Sequence, residues 1–422
     1  MNIVLLSGGS GKRLWPLSND VQSKQFLKLL KDEKGNDESM VQRVMRQLLS
    51  EIPDANVYVS CNNSQVDMLH KQLGNVNVIS EPVRRDTFPA IALAAAHLHF
   101  NNRLGEDETF VACPIDVFAE NAYFSLLSQV NELCGAYNIG LLGAVPTYPS
   151  EKYGYITHDN GTVSGFVEKP PLGDAVRLVE SKALWNCGVA SVKIGYVLGH
   201  ARKHVEFGSY GSLYAQYEKL PKISFDYEVI EKETSIGVVV YQGIWKDLGT
   251  WNTFAEEMGR AAVGDALVSD CSVNTHTLNM LNIPIIVQDI RDAVIVASYD
   301  GILVSSKPGS SHLKPLTEQI TNKPMYEQKH WGSYRILECK QDDKTSSVVR
   351  RIHVDAGQVF NRECNNECVV IWAVTNGKGI VTIDGNDSVV SPGSIVNIPC
   401  NTLYTIQADI FLEFIEIEIG NL

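Results

Sequence analysis

Short apolar runs alternate with amphipathic stretches along roughly the first 250 residues of the chain. A buried strand is typically a short continuous apolar run, whereas a covering helix repeats apolar residues every three or four positions. The runs that predict strands are residues 2–6, 57–60, 76–79, 110–113 and 140–145. Helices are predicted for residues 39–49, with Asp37 as the N-terminal cap, and for residues 89–100. This alternation predicts an α/β fold with a Rossmann-like, mostly parallel sheet covered by helices.

The pattern changes near Arg260. Short β-rich pieces separated by Asp and Asn turns, including residues 283–287 and 293–297, predict a β-helical or β-roll segment. A polar stretch with two prolines then predicts a linker, and strands with regular turn signals predict a compact cupin-like β-barrel at the end. The predicted divisions are a first domain over residues 1–262, a β-helical segment over 263–311, a linker over 312–329 and the barrel over 330–422.

Composition and charge narrow the class of protein. The formal charge of −13, from 36 basic and 49 acidic residues, argues against nucleic acid as the main partner. No apolar run approaches the roughly 20 residues of a membrane span, and the first residues are typical of a strand and not of a signal peptide. Nine scattered cysteines, an odd number, are typical of reduced thiols. We therefore predict a cytoplasmic globular protein that binds neither nucleic acid nor membrane.

A glycine-rich stretch follows the first predicted strand, reading Leu6-Ser-Gly-Gly-Ser-Gly-Lys-Arg-Leu-Trp-Pro-Leu-Ser18, with Ser23-Lys-Gln-Phe-Leu27 downstream. Its backbone N–H groups could close on phosphate oxygens. A Walker A loop does not fit, because Leu6 and Arg13 stand where that loop needs Gly and Ser or Thr. A dinucleotide fingerprint does not fit either, because Leu14 stands where it needs a small residue. An ordinary glycine-rich turn is the simpler alternative. The Trp-Pro and Lys-Gln-Phe that follow the glycines argue against it.

The stretch resembles the opening signature of the sugar-nucleotide pyrophosphorylases, and most closely that of the mannose-1-phosphate guanylyltransferase family. That signature is Gly-Gly-x-Gly-x-Arg-Leu-Trp-Pro-x-Ser followed by Pro-Lys-Gln-Phe, and only Ser23, in place of the Pro, departs from it. The resemblance implies an enzyme that joins a sugar 1-phosphate to a nucleoside triphosphate, with mannose 1-phosphate and GTP giving GDP-mannose and pyrophosphate. Such an in-line attack needs alignment and charge neutralisation, which predicts Mg²⁺ as cofactor.

Two aspartates are predicted to bind the metal, and two cationic side chains are predicted to be catalytic. Asp116 follows a predicted strand and Asp247 lies in Trp245-Lys-Asp-Leu-Gly-Thr-Trp251, and by resemblance these two aspartates hold the metal. Arg13, by bidentate hydrogen bonds, and Lys24, as a mobile point charge, are predicted to hold the triphosphate and the leaving pyrophosphate. Solvated surface positions are the alternative for both cations, and it is stronger for Lys24, since Lys28 follows nearby.

Two further groups of motif residues complete the expected site. The predicted nucleotide-binding residues come from the glycine loop and from the motif Glu81-Pro-Val-Arg-Arg-Asp-Thr-Phe-Pro-Ala90; they are Leu6, Gly8, Gly9, Ser10, Gly11, Arg85 and Thr87. The sugar is expected to meet carboxylate and amide groups, with a lysine for its phosphate and a glycine that allows close backbone approach. The predicted sugar-binding residues are Gly154, Glu168, Lys169, Asn186 and Asp226.

Departures from the family motifs keep other functions open. Asp86 and Phe88 replace the family's Asn and Ala, Val117 replaces its His, and Lys152 replaces a Gly. A guanylyltransferase for another sugar 1-phosphate, such as a heptose 1-phosphate, is one alternative. A catalytically silent homologue that binds a sugar nucleotide and regulates a partner is another.

The C-terminal part opens with His330-Trp-Gly-Ser-Tyr334, which resembles the start of the cupin-like isomerase domain of bifunctional family members. Their metal-binding histidine cluster corresponds to residues 359–369, where this chain has no histidine. Cys364 and Cys368 lack a second pair with metal-site spacing. We therefore predict a barrel without isomerase activity, which serves packing, regulation or the formation of a homodimer.

Overall fold

The structure is a computed structural model that describes residues 1–8, 11–19, 22–341, 345–363 and 368–421. Contacts divide the chain into two compact units. The first comprises Met1–Leu14 and Ser23–Arg260, and the second comprises Trp15–Gln22 and Ala261–Leu422. The eight residues between Leu14 and Ser23 therefore belong with the C-terminal half of the chain, although the signature motif runs through them.

The first unit contains thirteen strands among its described residues. They are β1 Asn2–Leu6, β2 Leu30–Lys31, β3 Asp37–Glu38, β4 Asn56–Asn62, β5 Asn77–Glu81, β6 Thr109–Pro114, β7 Val117–Ala119, β8 Ile139–Ala144, β9 Tyr155–Asp159, β10 Thr162–Val167, β11 Leu184–Lys193, β12 Ile236–Tyr241 and β13 Trp245–Asp247. Nine of them form one sheet in the order β5-β4-β1-β6-β11-β8-β12-β10-β9. β1, β4, β5 and β6 run parallel, whereas β11 runs antiparallel to both of its neighbours β6 and β8. The predicted α/β sheet is confirmed, with antiparallel strands on one side.

Helices cover both faces of this sheet. They are α1 Met40–Glu51, α2 Val66–Leu73, α3 Thr87–Ala96, α4 Asn121–Glu132, α5 Leu172–Glu180, α6 Ile194–Arg202, α7 Tyr210–Ala215, α8 Phe225–Glu228 and α9 Trp251–Glu257. Short 3₁₀ turns include Gly11–Leu14 and Lys24–Phe26, and α3 continues into a π-helical turn at His97–Asn101. Two apolar cores result, one on each face, and β1 contributes Val4 to one and Ile3 and Leu5 to the other.

The helix predicted at residues 39–49 is present as α1, but its predicted cap is wrong. Ser39, not Asp37, is the N-cap: its side chain accepts from the backbone N–H of Gln42, whose side chain bonds back to the Ser39 backbone. Such a capping box satisfies two of the helix's unpaired N–H groups. Asp37 instead lies in β3 and forms ion pairs with Lys31 and Arg260.

The second unit begins with stacked short strands. Those before the linker are β14 Ala262–Val263, β15 Ala266–Val268, β16 His276–Asn279, β17 Ile285–Val287, β18 Ala293–Ser298 and β19 Gly301–Ser306. β14, β16 and β18 pair in parallel, as do β15 and β17, so the chain winds through successive rungs. β19 closes the stack by pairing antiparallel with β18. This is the β-helical segment that the sequence predicts.

An eight-stranded antiparallel sheet forms the end of the chain. Its strands are β20 Tyr326–Lys329, β21 Gly332–Gln341, β22 Thr345–Val354, β23 Val359–Glu363, β24 Cys368–Ile383, β25 Asn386–Val390, β26 Ile395–Ile398 and β27 Leu403–Asn421. The long strands β24 and β27 pair with each other and carry the shorter strands at their outer edges, around one apolar core. The predicted strand-rich C-terminal fold is confirmed.

The predicted linker is partly structured. A short helix, α10 Lys314–Thr317, lies within it, and its last four residues form β20, which pairs with β21. The C-terminal sheet therefore starts at Tyr326 and not at His330. No helix in the described part of the chain is long and apolar enough to cross a membrane.

Candidate active site

Residues from several strand ends meet at one edge of the first unit's sheet. β1 ends at Leu6, the neighbouring β6 ends at Pro114, and β5 ends at Glu81. Because these strands run parallel, the residues that follow them emerge side by side. Ligands of open α/β sheets bind at this carboxyl edge. The glycine loop, Glu81 and Asp116 therefore share one cleft.

A two-stranded ladder brings together the two aspartates that are separated by most of the first unit's chain. β7 and β13 pair antiparallel, with Asp247 opposite Val117, the residue after Asp116. The backbone N–H of Leu248 also donates to the Asp116 carbonyl at 3.1 Å. The ladder fixes both carboxylates on the same side of the cleft.

Lys24 lies between these carboxylates. Its Nζ donates to Asp116 Oδ2 at 2.7 Å and lies 4.0 Å from Asp247 Oδ1. Its side chain is only 7% exposed, which rules out the solvated surface position considered above. Two neighbours in the 3₁₀ turn fix the lysine: Phe26 is buried in the core, and Gln25 Nε2 donates to the carbonyl and hydroxyl of Ser7.

The two aspartates differ in their electrostatic environment. Burial opposes ionisation of Asp116, but the adjacent Lys24 ammonium outweighs it and lowers the pKa of Asp116. Burial raises the pKa of Asp247, which Lys24 offsets only in part, and the nearby Asp116 charge raises it further. One ammonium thus bonds one carboxylate directly, whereas the second carboxylate lies 4.0 Å from the same ammonium and keeps a raised pKa.

This unsatisfied carboxylate suits a divalent cation. Asp247 Oδ1 is buried and accepts no hydrogen bond from any described residue. An orphaned carboxylate oxygen beside a second carboxylate is the donor set that Mg²⁺ uses when substrate phosphates and water complete its shell. Asp116 and Asp247 therefore fit the predicted metal role, which stays a prediction.

The first of two connected cavities has a volume of about 240 Å³ and lies between the glycine loop, α3 and α8. The predicted residues Leu6, Gly8 and Thr87 line it, together with Asp116. Thr87 also supports its wall, because its hydroxyl accepts from the Phe225 N–H at 2.8 Å. The departure Asp86 caps α3 by accepting from the Thr87 N–H.

Glu81 lines the same cavity, and the sequence analysis did not select it as a site residue. Its carboxylate accepts from Tyr217 Oη at 2.8 Å and from Ser60 Oγ at 3.1 Å. Burial raises its pKa, which these two hydrogen bonds counteract. A Cβ on Gly8 would lie 3.0 Å from Glu81 Oε1, so the loop passes directly over the carboxylate. The sequence feature that could have identified Glu81 is its position as the first residue of the motif at residues 81–90.

The second cavity, of about 180 Å³, shares Pro114, Asp116, Gly188 and Asp226 with the first. The predicted sugar residues Gly154, Glu168, Asn186 and Asp226 line it, as does the metal candidate Asp247. Asp116 of the predicted metal pair therefore lines both cavities, and Asp247 lines the second.

Polar groups in the second cavity are held by each other. Asn186 Nδ2 donates to Asp226 Oδ1 at 2.7 Å. Burial, with a contribution from nearby Glu168, raises the pKa of Asp226 to about 6. A Cβ on Gly154 would lie 2.5 Å from Glu168 Oε2, so the close approach predicted at this glycine is present. Lys152, noted only as a departure, also lines the cavity.

Several predicted residues lie outside the cavity walls. Arg13 is exposed in its 3₁₀ turn, although its charge contributes to the lowered pKa of Asp116 and opposes the raised pKa of Asp247. Arg85 donates to the Leu220 carbonyl, and Lys169 is half exposed and paired with Glu168. Gly11 begins the turn that carries Arg13. The predicted residues Gly9 and Ser10 lie outside the described residues.

The C-terminal core contains an ion-pair network near residues 359–369, the segment that corresponds to the metal-binding histidine cluster of the bifunctional family members. Arg350 and Arg362 each bond to Glu416 and Glu418, and Trp372 Nε1 donates to Glu416, which is fully buried. Paired in this way, the two carboxylates carry no uncompensated charge. No group of three or more metal-binding side chains occurs among the described residues, and Cys364 and Glu367 fall outside them.

Comparison with known proteins extends these observations. Residues 2–262 match the family model described as nucleotidyl transferase. The chain is 27% identical to a Klebsiella pneumoniae mannose-1-phosphate guanylyltransferase, over 99% of this chain and 96% of that protein. It is 28% identical to the xanthan biosynthesis protein XanB of Xanthomonas campestris pv. campestris, over 99% and 95%. A Thermus thermophilus structure described as a mannose-1-phosphate geranyltransferase shares the fold, with a TM-score of 0.62, 22% identity and coverage of 75% of this chain and 98% of that one.

Asp226→Asn is expected to stabilise the protein at pH 8 but not at pH 4. A folded pKa of about 6, against about 3.9 in the unfolded chain, means that folding loses stability as the pH rises from about 4 to about 6 and does not regain it above. Asparagine carries no charge and still accepts from Asn186. We expect a gain of roughly 1–2 kcal/mol at pH 8, measured by urea unfolding at both pH values. An equal gain at pH 4 would contradict this origin.

Proposed function

Because the chain belongs to the nucleotidyl transferase family, we propose that it transfers GMP from GTP to mannose 1-phosphate, giving GDP-mannose and pyrophosphate. The observation that carries the proposal is the Lys24–Asp116–Asp247 cluster, in which Asp116 lines both cavities and Asp247 lines the second. One cavity suits a nucleotide and the other suits a sugar phosphate. The names of the full-length relatives support the choice of substrates.

The reaction needs little from the protein except alignment and charge. A phosphate oxygen of the sugar phosphate attacks the α-phosphorus, and the bond from that phosphorus to the bridging oxygen of the β-phosphate breaks. Substrates held on opposite sides of the cluster would present attacking and leaving oxygens in line. Lys24 lies close enough to stabilise charge on the transferring phosphate, while exposed Arg13 would bind the outer phosphates as pyrophosphate forms.

Nucleotidyl transferases generally use a divalent metal ion. We propose Mg²⁺, held by Asp116 and by the orphaned Oδ1 of Asp247. When bound, it would neutralise phosphate charge and favour departure of pyrophosphate. Lys24 meanwhile keeps Asp116 ionised and oriented, through the hydrogen bond that joins them.

Glu81 supports guanine as the base. Guanine offers two adjacent donors, N1–H and N2–H, to a carboxylate, whereas adenine places an acceptor at N1. Glu81 already accepts one hydrogen bond at each of its oxygens and has lone pairs left for a ligand. Its place on the wall of the first cavity supports contact with the base.

On the sugar side, Asn186, Asp226 and Glu168 would bond the hydroxyls, and Lys169 at the rim would reach the phosphate. Lys152 on the cavity wall is the observation that favours the alternative, a different sugar 1-phosphate such as a heptose 1-phosphate. A cytoplasmic homodimer remains our prediction for its location and assembly.

A panel of GTP, ATP, UTP, CTP and dTTP crossed with mannose, glucose and heptose 1-phosphates tests the proposal. Pyrophosphate release and the mass of the product are measured for each pair. We expect GTP with mannose 1-phosphate to give the highest kcat/KM. A preference for the heptose phosphate would establish the alternative, and background release with every pair would favour a silent binding homologue.

Asp247→Asn should lower kcat at least about a hundredfold, as removal of a transition-state charge stabiliser does. It should also weaken binding of Mn²⁺, a spectroscopic substitute for Mg²⁺ measured by electron paramagnetic resonance in the presence of GTP. Since burial disfavours the charged Asp247, the variant should unfold no earlier than wild type. The exposed Asp159→Asn is the matched control. Normal turnover by Asp247→Asn would remove this residue from the metal site.

Glu81→Gln should reduce the preference for GTP over ATP at least about tenfold, because an acceptor for the guanine donors becomes an amide. The measurement is the ratio of kcat/KM for the two nucleotides. Glu38→Gln replaces another buried, hydrogen-bonded glutamate, away from the cavities, and should leave the ratio unchanged. If both variants changed it equally, Glu81 would not be the residue that selects the base.

A further inference from the structure

The turn between β18 and β19, residues 298–301, contacts the part of the signature motif that belongs to the second unit. Ser298 Oγ donates to the Pro16 carbonyl at 2.8 Å. A Cβ on Gly301 would lie 2.5 Å from Cζ2 of Trp15, so the indole covers this glycine directly. The unusual Trp-Pro of the signature therefore packs on this turn.

Asp300 is the central residue of the contact. Its Oδ2 accepts from Asn19 Nδ2 at 3.0 Å. Asn19 in turn forms two hydrogen bonds with Gln22. Its backbone N–H donates to the Gln22 carbonyl, and its Oδ1 accepts from the Gln22 N–H at 2.8 Å. Asp300 thus holds the residue that directs the signature segment back toward Lys24.

The same turn is held from the C-terminal side. Asp300 Oδ1 accepts from the Met325 N–H at 2.6 Å, just before β20. The guanidinium of Arg335, in β21, lies over the Tyr299 ring at 4.4 Å from its centroid. Signature segment and C-terminal sheet therefore contact the same four-residue turn.

We propose that the turn at residues 298–301 is a positioning element for the triphosphate-binding Arg13, and that the C-terminal sheet acts on nucleotide binding through it. Arg13 precedes Trp15 by two residues, and Lys24 follows Gln22 by two residues. The segment anchored at Asp300 is thus the covalent connection between both cations. The roles of the cations rest on the proposed function.

The physical reason is the precision that cationic side chains need. A charge stabilises a phosphate in the transition state only if it is held in place beforehand, and supporting hydrogen bonds provide this restraint. Arg13 is exposed, so we expect the conformation of the following segment to restrict where its side chain can lie. Ser298 and Asp300 supply that restraint without touching substrate, as positioning residues.

A reciprocal exchange at the Asn19–Asp300 pair tests the proposal. Asp300→Asn places two amide groups opposite each other while its oxygen can still accept from Met325. Asn19→Asp places two carboxylates opposite each other. The double variant restores a donor facing an acceptor, and the carboxylate introduced at position 19 would still accept from the Gln22 N–H. We expect each single change to raise KM for GTP and the calorimetric Kd of GTP at least about tenfold, and the double variant to recover to within about threefold of wild type.

Controls separate positioning from general damage. KM for the sugar phosphate should stay within about twofold of wild type in all variants, because the second cavity is built by other residues. Asp289→Asn changes an exposed aspartate in the same β-helical segment and should have no effect on GTP. Arg335→Ala should raise KM for GTP about threefold, whereas Arg351→Ala, its cross-strand neighbour, should not.

Each outcome decides the matter. Recovery in the double variant, with an unchanged KM for the sugar phosphate in the single variants, establishes the contact as a positioning element, since a general structural defect would affect both substrates. Single variants with wild-type KM and Kd, or a double variant no better than the singles, would overturn the inference even where wild type turns over GTP. Wild type without turnover of any substrate pair would instead overturn the proposed function. If Arg335→Ala and Arg351→Ala behaved alike, the role of the C-terminal sheet would be wrong.

Discussion

The charge balance around Lys24 is the constraint on which the site depends. Two carboxylates converge on one buried ammonium, and the surrounding protein disfavours any charge left uncompensated. Local contacts hold both partners: a strand ladder positions the aspartates, and the buried Phe26 with the Gln25 hydrogen bonds positions the lysine. One acidic oxygen remains unsatisfied, which is what a site for a cation and an anionic substrate requires.

Close backbone approach explains how two cavities fit around this cluster. Gly8 passes over Glu81, and Gly154 lies against Glu168, at separations that leave no room for a side chain. Gly188, with a φ of +71°, lies in β11 where its pairing with β8 shifts register, and it faces the side chain of Pro114. A side chain at Gly8 would cover the Glu81 carboxylate, and one at Gly154 would cover the Glu168 carboxylate.

Local pattern predicted what depends on local sequence. Continuous apolar runs predicted the parallel strands. Because ligands of open α/β sheets bind at the carboxyl ends of the strands, Asp116 could be selected from its place after β6. Contacts between distant segments could not be derived in this way. The pairing of β7 with β13 places Asp247 beside Asp116. Glu81 lines the first cavity because the folded chain brings Gly8, α3 and α8 to the end of β5. The choice between Asp37 and Ser39 as the N-cap depended on where the first helical turn begins.

The role that we propose for the C-terminal sheet is mechanical, and the contacts in its core agree with that role. Its buried charges are satisfied by each other, since Arg350 and Arg362 neutralise Glu416 and Glu418. Burying such a network has a desolvation cost, which its mutual hydrogen bonds offset. The same sheet carries Arg335, and Met325 lies just before its first strand; both contact the turn at residues 298–301. As proposed above, the sheet would then act on nucleotide binding by holding this turn, without supplying a residue to either cavity.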